Sequence, residues 1–405
     1  MDRFTIKVSH YCWTVAVGRY CSTMKKLSAS EANLERLFVL IGKHMDLLKL
    51  NILDPGWRVT VLPVIVFAMI AFMPFLTAFS VRKYYAYLEI IVECLTQSCT
   101  GMQVFFRSYF YLSQRDLCRR IVQEMRDQRF AYGADRDDRM EQLFQRATER
   151  MLFLYRLIYA MYCGSYFFLL GPLIMPDPRK SSLPLAFCIP FLPPEESWLY
   201  WCLNYAHHIM LNVIGIHHLA PMDGVVLLAL ISVCTRIGAL ELMLEELDEK
   251  ITASEWQQTE RLEPYLNRII ELHSDMKRFA DLINNTFQMH FFSIFTMICL
   301  IICMCLNVIA SQPKNSIYPL MVASICQLLV ICLFGNILLI ANERLPACIY
   351  GIQWYRLNIA QQKKLLFLLG NAQPDIEMSA VFMPVNMTSF VAVLRAAYSY
   401  FTILH

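Results

Sequence analysis

Charge disappears from this chain in long runs, and those runs set out its elements. Between Arg58 and Arg82 lie 23 residues without a charged side chain, and between Arg156 and Asp177 lie 20. Each is long enough to span a bilayer as a helix, so they predict the first and third crossings. The second crossing, Tyr84 to Phe106, carries Glu89 and Glu93 one helical turn apart, and these must face protein or water. A fourth begins at Trp198, after the loop of residues 177–197, and its apolar pattern continues as helix well beyond a bilayer's thickness. Leu282 to Pro313 and Asn315 to Asn342 supply the fifth and sixth, with Asn315 as the turn. From Asn386 a seventh helix runs about 30 Å at 1.5 Å per residue.

Polar segments between the runs are patterned rather than loose. Residues 34–53 place apolar positions at mixed three- and four-residue spacing, which predicts an amphipathic helix, either lying at the membrane surface or packed against other inner helices. Residues 229–250, 260–287 and 344–370 read as amphipathic helices too. With the lower ends of the fourth, fifth and sixth crossings they are expected to form an inner helical bundle. No internal repeat or low-complexity tract is visible.

Composition agrees with the pattern, and basic residues orient it. With 57% hydrophobic and only 17% charged residues among 405, the chain is too apolar for a water-soluble globule of that size. Lys plus Arg number nine in residues 1–58, ten in 107–150, six in 229–281 and four in 342–382, against two, two and one in 82–83, 176–197 and 310–317. This bias places the amino terminus in the cytoplasm and, after seven crossings, the carboxyl terminus outside. A net charge of +3 without a basic block gives no footing for nucleic acid. Fifteen cysteines, most of them in apolar runs, show no zinc spacing, and Cys303-Met-Cys305 is one residue short of a CxxC. The first residues carry only a short apolar run, Tyr11 to Val17, without a small-residue cleavage site, so a removable signal peptide is not expected. Two acceptor sequons, Asn284-Asn-Thr and Asn386-Met-Thr, fall on the inner side and are expected to be unglycosylated.

Candidate chemistry is sparse. There is no glycine-rich phosphate loop, GxSxG or HExxH, and Glu89 with Glu93 reads as a hydrated pair as readily as a catalytic one. Neither an enzyme nor a cofactor is therefore expected. His207-His208 and His217-His218 are adjacent pairs whose side chains leave a helix in different directions, a poor start for a metal site. In the outer halves of the crossings, Tyr87, Ile91, Met161, Gly164, Phe168, Tyr205, His208, Met210, Ile214, Met321 and Ile325 mix aromatics, flexible thioethers and a glycine. Such a lining suits a small volatile with one polar atom, and an interface belt of ordinary packing residues has the same composition. On the last helix Arg395, Ser399 and Thr402 recur at i, i+4 and i+7, so one face gathers groups that lipid rejects. That is the geometry of a helix facing a water-filled pore.

The end of the chain, Arg395-Ala-Ala-Tyr-Ser-Tyr-Phe-Thr-Ile-Leu-His405, closely resembles the carboxyl-terminal signature of insect odorant receptors. Before it, Tyr350-Gly-Ile-Gln-Trp354-Tyr355 resembles the family's Tyr-x-x-x-Trp-Tyr pattern, and Lys363-Lys364 through Ala372-Gln373-Pro374 its basic residues, apolar helix and Ala-Gln-Pro turn. Leu272-His273 to Phe287, and Ala220-Pro-Met-Asp223, match family positions more loosely. The specific motifs lie in the last 65 residues.

The resemblance implies an all-α polytopic membrane protein of seven transmembrane helices, with cytoplasmic amino terminus, extracellular carboxyl terminus and a cytoplasmic helical anchor. It divides the chain into an inner segment 1–56, crossings one to four over 57–235 with the ligand pocket, an anchor over 236–287, crossings five and six over 288–342, a second anchor part over 343–383 and the pore-lining helix 384–405. It implies an odorant-gated cation channel of four subunits, in which a tuning receptor joins a shared co-receptor in the plasma membrane of olfactory sensory neurons. Volatiles bind in the outer half among crossings two, three, four and six, and matching positions favour Met161, Gly164 and Phe168. Tyr350, Trp354 and Tyr355 are implied in the anchor. Ser399 and Thr402 are implied at the pore and Ile403 at a hydrophobic gate, unless Ile403 packs against a neighbouring subunit. Co-receptors carry a long insertion between the fourth and fifth crossings, which is missing here, so the chain resembles a tuning subunit. The alternatives are a gustatory-receptor-like channel, whose closing Thr-Tyr and Gln-Phe pattern Ser399 to His405 does not reproduce, and a G-protein-coupled receptor, which the basic bias opposes.

Overall fold

The computed structural model describes residues 28–83, 88–131, 138–164, 183, 185, 187–253, 262–311, 317–373 and 376–404. Its first helix, α1 (Ala29–Asp46), starts earlier than the apolar spacing indicates because Ser28 and Glu31 form a reciprocal capping box. It stops short of residue 53 because Lys49 turns into the left-handed region at φ 54°, with its carbonyl held by Trp57 Nε1 at 2.7 Å. Arg119 fixes the turn that follows, donating to the carbonyls of Ile52 at 2.7 Å and Asp54 at 2.8 Å.

The bundle continues with α2 (Val61–Lys83), α3 (Leu88–Ser113), α4 (Arg115–Ala131), α5 (Asp138–Cys163), α6 (Trp198–Ala253), α7 (Glu263–Ser311) and α8 (Ile317–Gly351). Of these, α2, α6, α7 and α8 are long and apolar enough to cross a membrane, as is the final helix; α3 and α5 carry more polar groups. The helix of the second crossing does not end near Phe106. Helix α3 runs on to Ser113 because Arg107 is buried and paired, so its charge marks no water boundary. Helix α6 is 56 residues, about 84 Å, and α7 is 49, so each joins a crossing and an inner segment in one rod.

Residues 344–370 form two elements rather than one. Helix α8 ends at Gly351, a 3-10 turn occupies Trp354–Arg356, and a new capping box of Asn358 with Gln361 starts α9 (Ile359–Ala372). A two-residue hairpin follows, β1 (Ser379–Ala380) antiparallel to β2 (Met383–Pro384), turning at Val381 with φ 61°. Asn386 then caps α10 (Met387–Leu404), its Oδ1 accepting from Ser389 N at 3.0 Å.

Helix α6 is the axis of the bundle: 78% of its most apolar stretch is buried. The first and fifth helices run parallel beside it, tied by Ser30 N to Glu141 at 3.3 Å and by His44 Nδ1 and Tyr155 OH at 2.7 Å. We call the end bearing α4, α9 and the amino-terminal half of α1 the lower end, and the start of α6 the upper end. Helix α10 lies at the periphery. Only Ser389, Val393 and Ala397 of its eighteen residues are buried, and that stripe packs on α7, where Cys299 Sγ contacts the Val393 carbonyl at 3.9 Å. Both sequon asparagines are used structurally, Asn386 as a cap and Asn284 as acceptor for Ser379 N at 2.8 Å.

Candidate functional site

The interior is not uniformly apolar. Arg107 of α3 and Asp223 of α6 form an ion pair with side chains almost fully buried. Asp223 also accepts from Tyr162 OH of α5 at 2.5 Å and Gln327 Nε2 of α8 at 3.0 Å. Gln327 in turn accepts from Gln103 of α3 at 3.2 Å. One turn along α3, Tyr111 donates to the Met222 carbonyl at 2.6 Å, and Ser108 bonds to His218. His290 of α7 stands 3.8 Å from Asp223. Five helices thus meet at one polar junction. Isolated charge in a low-dielectric interior is very costly, so the ion pair is what lets Arg107 and Asp223 persist there, with Nε and Nη1 of Arg107 left without a hydrogen bond among the described residues.

The upper half of α6 is capped by residues 187–193. Asn204 holds that segment twice, accepting from Ile189 N at 2.7 Å and donating to the Leu192 carbonyl at 2.9 Å. Ser80 of α2 accepts from Cys188 N at 3.1 Å, and His208 Nε2 donates to the Phe187 carbonyl at 3.1 Å. Trp198, Trp201 and Tyr205 stack in series along α6, with centroids 5.2 and 5.0 Å apart.

The lining residues expected from sequence are dispersed over this region. Tyr205 and His208 are buried together beneath the cap. Ile214 faces α2 and α3, packing with Val66, Ile70 and Val104. Met321 packs on Ile301, Cys305 and Val308 of α7, and Ile325 on the main core. Ile91 is half-buried, whereas Met161 and Met210 are exposed on the bundle's outside. Gly164 closes α5, and a Cβ there meets first the carbonyl of Met161 in its own helix, at 3.0 Å. Tyr87 and Phe168 lie outside the described residues. Arg107, Tyr162, Gln103 and Gln327 were not singled out from sequence. The available signal was Arg107 beside an apolar run, opposite Asp223 in a charge-free one.

On α10 the exposed face carries Arg395, Ser399, Thr402 and Ile403, with Ile403 77% exposed. Thr402 Oγ1 donates to the Ser399 carbonyl at 2.8 Å. At the lower end Tyr350, Trp354 and Tyr355 form an exposed aromatic group, with Ile359, Leu366 and Phe367 also bare on the turn and α9. There His273 is pushed from 6.5 down to about 4 by burial, with Lys277 adding to it.

Membrane-length helices around a buried charged junction, with a polar-striped helix on the outside, define a multi-pass membrane protein. The family model for the 7tm odorant receptor matches residues 90–398, and the chain belongs to that family. In sequence it is similar to odorant receptors 85c and 85b of Drosophila melanogaster, 20% identical over 216 residues and 18% over 215, each covering 52% of this chain. Odorant receptor 56a of the same fly is 32% identical over 63 residues. The first two matches span about half the length of those relatives, 54% and 53%. In fold the chain is similar to the insect olfactory receptor OR5 of Machilis hrabei, solved alone and in complex with eugenol. The TM-score is 0.70 in both cases, covering 92% of this chain and 99% of that one, at 10% and 11% identity. Identity that low shows the fold alone.

Proposed function

We propose that this chain is the odorant-binding subunit of a heteromeric odorant-gated cation channel. One observation carries the reading: the face of α10 that no other element covers bears Arg395, Ser399 and Thr402. An arginine turned to hydrocarbon costs several kcal/mol, about 3 on insertion scales, so that face calls for water or equivalent helices of other subunits around a water-filled path. The opposite face is seated on α7 by small or branched side chains, which fixes the orientation of the stripe.

In this reading volatiles bind in the outer half of the bundle, near the upper part of α6, and the similar Machilis receptor was itself solved in complex with eugenol. Ile403 closes the path as an apolar ring that excludes water. The exposed aromatics Tyr350, Trp354 and Tyr355 join subunits at the inner end, where the excess of basic residues places the amino terminus too. Only residues 254–262 separate α6 from α7, so the partner with the longer insertion is a co-receptor and this chain the tuning member. The assembly belongs in the plasma membrane of olfactory sensory neurons.

Expression of this chain with a co-receptor should give odorant-evoked cation current, and expression alone little or none. A robust current from the chain alone would show that it is self-sufficient, and none under either condition would contradict the proposal.

A further inference from the structure

His208 is fully buried, and its Nε2 faces the Phe187 carbonyl at 3.1 Å. A carbonyl only accepts, so the ring's proton sits on Nε2 and the bond fixes the tautomer. Nδ1 is then a bare lone pair, and it is buried with no partner among the described residues. The neighbouring His207 has a buried Nε2 that also lacks a partner among the described residues, and no bond fixes its tautomer, so that nitrogen is free to carry the proton. The two rings lie 6.3 Å apart between centroids, and both stand near the Phe187 ring, at 6.3 and 5.1 Å. The nearest polar side chain on this face, Asn204, is engaged through both its oxygen and its nitrogen. Two turns of helix before His208, Trp201 Nε1 is another buried donor without an acceptor. Unmet buried polar atoms cost about 1–3 kcal/mol each, and three of them lie within the eight residues 201–208.

We propose that the ligand bound beneath the 187–193 cap is an alcohol or phenol, whose hydroxyl donates to His208 Nδ1. The same oxygen keeps lone pairs for a ring N–H of His207. Ethers, esters and ketones offer only acceptors, and they leave Nδ1 unmet. Hydrocarbon parts of the ligand meet Phe187 and Tyr205, which are apolar and buried. This inference rests on the odorant-binding reading and specifies the ligand class for it.

The test uses cells expressing the chain with a co-receptor, and a panel of straight-chain alkanols and alkylphenols, each paired with its methyl ether. Hydroxyl compounds should be more potent than their ethers by roughly tenfold, the worth of one hydrogen bond to an otherwise unmet group. In His208→Phe that ratio should fall to about twofold or less, because the hydroxyl then loses a partner that the ether never had, while surface expression holds. His208→Ala, which opens space instead of adding bulk, reads the same ratio should the bulkier variant fail to reach the surface. Equal potency within the pairs in the wild type, or a preference that survives in either variant, overturns the hydroxyl assignment and leaves the channel reading standing. A wild-type assembly that no volatile opens overturns the odorant-binding reading itself.

Discussion

Asp223 takes hydrogen bonds from α3, α5 and α8, and that convergence makes it the most consequential single side chain of the interior. Asp223→Leu strands Arg107 as an uncompensated buried charge and should cost about 3–5 kcal/mol, seen as a lower unfolding temperature of the purified protein and less of it at the cell surface. The double variant Arg107→Met with Asp223→Leu removes both charges and should recover much of that loss. A double variant as unstable as the single one would show that the junction's packing, rather than its charge balance, is what matters. Arg107 was misread from sequence for a physical reason: a charge beside an apolar run marks a boundary unless a partner neutralises it, and the partner lies 116 residues away. His44 shows the converse. Burial first, and nearby His217 second, pull it from 6.5 to about 4, so the folded state resists the proton that the unfolded chain accepts. Its contribution is intact above pH 6.5 and is lost as pH falls toward 4. Thermal stability should decline across that window, and His44→Gln should flatten the decline; an unchanged slope would remove His44 from it.

Elements were more legible than the contacts between them. The last crossing was expected from Asn386 and begins at Met387 behind an Asn386 cap, and the long fourth crossing appears as the 56-residue α6. Charge-free length and helical spacing are local properties, so they survive in the sequence. Which residues of α8 face α5 is set by rotation of rigid rods, so the bond from Gln327 to Tyr162 could not be read from the sequence. The seat of α10 is equally hidden in the sequence. Gly335 of α8 lets the backbone at Val385 pass so close that a Cβ would lie 1.8 Å from its carbonyl oxygen. A main-chain atom cannot swing aside, so Gly335→Ala should displace the hairpin and the start of α10 and sharply reduce surface assembly. Gly351→Ala meets nothing within 4 Å and should be tolerated. Equal behaviour of the two variants in a surface-labelling assay would contradict the seat.

At the scale of the whole molecule, α6 and α7 run as single rods from the upper bundle to the lower end, and α7 also seats the buried stripe of α10. In the proposed orientation the basic excess lies on the inner side. An epitope at the amino terminus should be hidden in intact cells and revealed on permeabilisation, and an exposed one would invert the molecule and move the aromatic group outside. The most direct measurement of the pore proposal is cysteine accessibility along α10 in the assembly with a co-receptor. Cysteines placed at Arg395, Ser399 and Thr402 should react with a charged, water-borne thiol reagent and alter the odorant-evoked current, whereas cysteines at Val393 and Ala397, buried on α7, should not. Modification without any such periodicity, or none at the three exposed positions, would contradict a pore lined by this helix.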